Sequence, residues 1–100
     1  MSANESVPFF KDPTGREHLL TNETTTIGRA VENDIVATSK RVSREHACVQ
    51  RQGRRAVLAD LGSTNGTFLN EDRVLAPIEL RDGDRVSVGD VTLTFHDPES

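Results

Sequence analysis

The chain has no tryptophan and no tyrosine, and only one cysteine and one methionine in 100 residues. A single thiol, Cys48, cannot close an internal disulfide, so the fold must rest on its core, and a reducing compartment is the expectation. Cys48 lies among strand-forming residues and reads as a small buried side chain. Cys48, His18, His46 and His96 show no metal-ligand spacing, so neither a metal nor another cofactor is expected. No apolar run approaches the ~20 residues a membrane helix needs. The first eight residues are polar and lack the basic and apolar regions of a signal peptide, which makes cytoplasm the expected location and leaves no role for a membrane. Helical periodicity, internal repeats, heptads and low-complexity tracts are also missing.

Lysine is scarce: there are two lysines against ten arginines. Arginine offers a planar fork of donors that can hold two oxygens of one anion, which lysine cannot do. Net charge is −4, but it is uneven. Between Gly28 and Arg55, seven basic side chains face three acidic ones, so that segment is +4 and the remainder −8. An acidic protein with a basic middle does not fit a general nucleic-acid binder, which favours a broad basic face. It fits a local anion site. Arg51, Arg54 and Arg55 flank Gly53 in an apparent hairpin tip and read as solvated surface.

One hundred residues predicts one domain, and a monomer is the default at this size. Short β-branched or alternating segments recur every eight to twelve residues, the pattern of a sandwich or barrel. Strands are expected at Val7 to Phe10, His18 to Thr21, Thr24 to Gly28, Ile35-Val36, His46 to Gln50, Ala56 to Leu61, Thr67 to Leu69, Arg73-Val74, Arg85 to Val88 and Val91 to Phe95. In the last of these, Val91, Leu93 and Phe95 share one face, which should be core. Turn signals separate them, including Asp12-Pro13-Thr14-Gly15, Gln52-Gly53 and Asp82-Gly83. Loose ends are expected at 1–6 and 97–100, around a domain spanning 7–96.

Three polar motifs interrupt the strands. Gly28-Arg29 ends one strand; alone it is a weak signal. Ser43-Arg44-Glu45-His46 closes the longest stretch without a strand, and its Ser hydroxyl and Arg can face one anion. His46 reads as a hydrogen-bonder that ties this loop. Gly62-Ser63-Thr64-Asn65-Gly66-Thr67 combines small hydroxyls with a strong Asn-Gly turn former. The Asn side chain offers both a donor and an acceptor, which suits reading a peptide backbone. Ser43 or Ser63 with His46 and Asp60 can also be drawn as a nucleophile triad, but there is no Gly-x-Ser-x-Gly elbow, so a Ser/His hydrolase is the remote reading and no enzyme is expected.

Taken together, Gly28-Arg29, Asn33-Asp34-Ile35, Ser43-Arg44-Glu45-His46-Ala47, Asp60 through Asn70, Leu80 through Asp84 and Gly89 resemble the forkhead-associated (FHA) domain family, over about Phe9 to Phe95. The resemblance implies an all-β fold: a two-sheet β-sandwich of about eleven strands, FHA/SMAD-like, whose loops at one end bind a phosphothreonine peptide. It implies phosphate contacts from Arg29, Ser43, Arg44 and Thr64, a peptide-backbone contact from Asn65, and architectural roles for Gly28, His46 and Gly66. Arg41 and Ser63 are the positions from which peptide preference would come, with Arg41 choosing an acidic residue downstream of the phosphothreonine. The implied partner is a phosphothreonine-containing protein, either a Ser/Thr kinase or its substrate. A phospho-independent interaction module on the same fold is the alternative.

Overall fold

In the computed structural model, which describes residues 7–99, eleven strands form two sheets and no helix appears among the described residues. In chain order the strands are β1 (Phe9–Lys11), β2 (Glu17–Leu19), β3 (Thr24–Gly28), β4 (Ile35–Val36), β5 (Ala47–Gln52), β6 (Arg55–Asp60), β7 (Thr67–Leu69), β8 (Asp72–Arg73), β9 (Ile78–Glu79), β10 (Arg85–Val88) and β11 (Val91–His96). One sheet has the order β2-β1-β11-β10-β7-β8 and the other β4-β3-β5-β6-β9. Every pairing is antiparallel except β3 with β4.

Side-chain alternation determines which face of each strand is buried. On β10 and β11, Val86, Val88, Leu93 and Phe95 are buried, while Arg85 and Thr92 face outward. Val91 is half-buried against the same core. On the facing sheet, Ile27, Ala47, Val49, Ala56 and Leu58 close the core. Phe10 and Phe95, paired across β1 and β11, meet edge to face at 5.5 Å, a favoured aromatic arrangement. Two layers therefore share one apolar interior, as a sandwich requires.

Several expectations change in detail. Arg51 is not solvated: it is half-buried and donates from its two terminal nitrogens to the carbonyls of Leu20 (2.8 Å) and Gly53 (3.0 Å). Arg54 lies beside the carboxylates of Asp97 (3.8 Å) and Glu99 (3.2 Å), and Arg55 beside Glu79 (3.4 Å). The Asp97 N–H also donates to Asp82 Oδ1, 2.8 Å. The expected loose ends at 1–6 and at residue 100 lie outside the described residues. The Asn70-Glu71 hairpin places both residues at positive φ, 49° and 77°, the geometry whose twist matches its flanking strands.

Candidate functional site

Strand register gathers the three polar motifs at one end of the sandwich. Ile27 pairs with Ala47 and Ala47 with Asp60, so the end of β3, the start of β5 and the end of β6 lie side by side. The loops leaving these points are then stitched backbone to backbone. Arg29 N–H donates to the Ser43 carbonyl (2.9 Å) and Ala30 N–H to that of Arg44 (3.2 Å). Gly28 is required by this close approach: a Cβ there would collide with the Arg44 carbonyl oxygen and come within 2.7 Å of Asn33 Nδ2. Asn33 itself is buried and clips the same corner, its Nδ2 donating to the carbonyls of Ala30 (2.9 Å) and Arg44 (2.7 Å).

On this frame the exposed Arg29 side chain is fixed at its root. Its Nε donates to the Val42 carbonyl, 3.0 Å, which leaves the terminal nitrogens free to turn outward. Ser43 is half-buried, and its Oγ accepts the Thr64 N–H at 3.0 Å. The hydroxyl hydrogen of Ser43 therefore remains available to an incoming acceptor. Asn65 Nδ2 donates to the Arg41 carbonyl, 2.8 Å, leaving its second N–H and its carbonyl oxygen unengaged. Among the described residues, no carboxylate lies within ion-pair distance of Arg29, Arg41 or Arg44. Unpaired guanidinium groups beside a hydroxyl donor form a ready site for an oxyanion.

Asp60 supports the 61–66 loop from beneath. One of its oxygens accepts from the Ser63 hydroxyl (2.5 Å) and the Thr67 hydroxyl (2.6 Å), and the other from the Gly62 and Ser63 amides. Burial works to raise its carboxyl, but these hydrogen bonds outweigh burial and hold it below the usual carboxylate range. Ser63 faces inward: its oxygen donates to Asp60 and accepts the Gly66 N–H at 3.0 Å, so the hydroxyl expected to tune peptide preference is engaged within the loop. Gly66 turns the loop at φ 91°. His46, fully buried, locks both loops together. Its Nδ1 accepts the Ser43 N–H at 3.0 Å, so the ring proton sits on Nε2, which donates to the Gly66 carbonyl at 2.8 Å.

These bonds rule out the triad arrangement. Both ring nitrogens of His46 are occupied by backbone, and Asp60 binds Ser63 and Thr67 rather than His46. The structure brings together Arg29, Ser43, Thr64, Asn65 and the Arg41 backbone; the Arg44 side chain instead lines an adjoining hollow with Ala30, Asn33 and Leu61. The 37–46 loop is also fastened at its far side. Ser39 Oγ bonds Asp90 Oδ1, and the Arg41 carbonyl approaches Gly89 so closely that a Cβ there would lie 2.6 Å from it. Asn33 and Asp90 have no site role in the sequence reading, and Asp60 has only that of a triad carboxylate. For Asp60 a signal existed: an acceptor followed by Gly62 and Ser63 amides is an Asx-turn spacing.

Comparison with known proteins places this geometry. A family model for the FHA domain matches residues 25–89. The transcriptional regulatory protein EmbR of Mycobacterium tuberculosis is 37% identical over 95 residues, covering 94% of this chain and 24% of EmbR. The glycogen accumulation regulator GarA of Mycolicibacterium smegmatis is 37% identical over 81 residues, 81% of this chain and 51% of GarA. The chain thus spans about a quarter of one relative and about half of the other. The solved structure of M. tuberculosis EmbR in complex with a low-affinity phosphopeptide superposes with a TM-score of 0.87 at 36% identity, over 92% of this chain and 24% of that one. A structure from a study of phosphothreonine-dependent FHA domain interactions gives 0.85 at 30% identity, over 90% of this chain and 95% of that one.

Proposed function

The chain belongs to the FHA domain family, and from that premise we propose that it is a phosphothreonine-peptide binding module acting in Ser/Thr kinase-dependent protein–protein signalling. The observation that carries this reading is the polarity of Ser43. Its oxygen accepts the Thr64 N–H while its O–H stays free to donate, next to a guanidinium anchored by Val42. A phosphomonoester brings nearly two negative charges and three acceptor oxygens, which match those donors. In this reading Arg29, Ser43 and Thr64 hold the phosphate, Arg44 adds charge at its edge, and Asn65 reads the peptide backbone with its free N–H and carbonyl. Gly28, His46 and Gly66 keep the loops in place. Arg41 selects an acidic residue downstream of the phosphothreonine. The partner is a phosphorylated Ser/Thr kinase or one of its substrates, met by a monomer in the cytoplasm. The unpaired thiol supports that compartment, and the regulator names of the relatives support a signalling role.

Calorimetry with an oriented phosphothreonine peptide library tests this. Removing one partner of a desolvated, hydrogen-bonded charge pair costs about 2–5 kcal/mol, so Arg29→Ala should weaken binding by orders of magnitude while the domain stays folded. Unchanged affinity rejects the assignment, and equal binding before and after phosphatase treatment would move it to a phospho-independent module. Preference for phosphothreonine over phosphoserine should be roughly ten- to two-hundredfold, the discrimination one methyl group provides.

A further inference from the structure

The Asn65-Gly66 tip of the loop meets the backbone of one arginine and the side chain of another. On one side Asn65 holds the Arg41 carbonyl. On the other, Gly66 abuts Arg73: a Cβ on Gly66 would lie 3.2 Å from both the guanidinium carbon and Nε of Arg73. Register makes this contact informative. Arg73 is paired with Phe68, two residues further from the loop than Gly66. The Arg73 side chain therefore does not stand straight out from β8 but runs along β7 toward the binding end of the sandwich. Arg73 is exposed, and among the described residues its side chain has no hydrogen bond and no carboxylate at ion-pair distance. Arg54 and Arg55, away from this end, do lie beside carboxylates. A guanidinium beside Gly66, sharing a hollow with Asp60 yet with no carboxylate at ion-pair distance, lacks the close partner its chemistry favours.

We infer that Arg73 is a second specificity-determining residue, reading an acidic side chain on the opposite flank of the phosphothreonine from the one read by Arg41. With Arg41 facing residues downstream of the phosphothreonine, Arg73 faces those upstream. The preferred ligand is thus a phosphothreonine with acidic residues on both sides. Gly66 is part of the device, because a Cβ there would press on the guanidinium and sit strained at φ 91°. The inference rests on the phosphothreonine reading of the site, and the two can fail separately.

The experiment is an aspartate scan across a phosphothreonine peptide of otherwise neutral sequence, read by fluorescence anisotropy with wild-type protein and with Arg73→Gln, Arg73→Lys and Arg41→Gln. Wild type should bind peptides with an upstream aspartate about two- to fivefold tighter than the neutral peptide, the modest gain of an interface-rim charge. Arg73→Gln should erase that upstream gain and leave the neutral peptide's affinity and any downstream preference intact. Arg73→Lys should keep part of it, and Arg41→Gln should leave it untouched. An upstream preference that survives Arg73→Gln, or a uniform loss across all peptides showing that Arg73 merely props Gly66, overturns the inference while leaving the phosphothreonine reading in place. Failure of wild type to bind any phosphopeptide overturns both.

Discussion

At the scale of single residues, Ser43 concentrates the most chemistry in the fewest atoms. Its N–H donates to His46, its carbonyl accepts from Arg29 and its Oγ accepts from Thr64. The hydroxyl hydrogen has no partner among the described residues and is free to donate to a ligand. Ser43→Ala removes both that donor and the acceptor for the Thr64 amide, while the backbone bonds to His46 and Arg29 survive. A hydrogen bond to a charged group contributes about 1.5–3 kcal/mol, so phosphopeptide affinity should fall roughly ten- to hundredfold in calorimetry. Ser43→Thr keeps the hydroxyl and should retain most of the binding wherever the extra methyl fits. A Thr variant as weak as the Ala variant would show that space at this position, and not the donor, governs affinity. Arg29 stands out in the sequence because its side-chain type suits an anion. The supporting role of Asp60 is half legible: Asx-turn spacing marks its two amide donors, but not the Ser63 and Thr67 hydroxyls that complete its four.

At the scale of elements, the strands with clean signals form where the sequence expected them. Thr24–Gly28, Ile35–Val36, Thr67–Leu69 and Arg85–Val88 have the expected bounds, because β-branched density or strict alternation marks them. Ile78–Glu79 escaped notice for a physical reason. It is a two-residue edge strand with both side chains exposed, following Ala76-Pro77, so it carries no alternation and begins beside a turn-forming proline. What sequence could not supply was the cross-loop bonding that turns three weak motifs into one site: Asn33 to Arg44, His46 to Gly66, Asn65 to Arg41. The 61–66 loop also gives a pH prediction. Because the folded-state Asp60 carboxyl is held below its ordinary range, its contribution to stability is fully present above about pH 4, the unfolded carboxylate value. It is lost as pH falls through the lower folded value. Denaturant titrations across the acid range should therefore show stability falling below about pH 4. Asp60→Asn should flatten that slope by at most about 1.4 kcal/mol per pH unit, one proton's worth. The slope that remains belongs partly to Asp12, whose carboxyl is likewise held low, by the Thr14 hydroxyl and by His18. Stability is the right readout, since the ligand phosphate titrates near pH 6 and would blur a binding profile. An acid limb identical in wild type and Asp60→Asn would show that the loop's bonds do not depend on this charge.

For the whole molecule, charge and shape act together. The protein is acidic overall at −4, yet Arg29, Arg41 and Arg44 project from loops at a single end of the sandwich and Arg73 reaches toward the same end. Such a distribution is a dipole: a dianionic phosphopeptide is repelled by the body and drawn to the loop end, so it arrives oriented. Orientation acts on the encounter rather than on the closed complex, where the contacts proposed for Ser43 and the anchored Arg29 would be short-range bonds that salt screens little. The association rate should therefore carry most of the ionic-strength dependence. Raising salt from about 0.01 M to about 1 M shortens the screening length from roughly 30 Å to roughly 3 Å. Stopped-flow mixing with a fluorescent phosphopeptide should show association slowing by at least about tenfold over that range, with a much smaller change in dissociation. Neutralising Arg44, at the margin of the site, should reduce the salt dependence of association more than it changes dissociation. Should the salt effect reside in dissociation instead, the arginines would be acting as local contacts alone, and the uneven charge so visible in the sequence would have no part in bringing the ligand in.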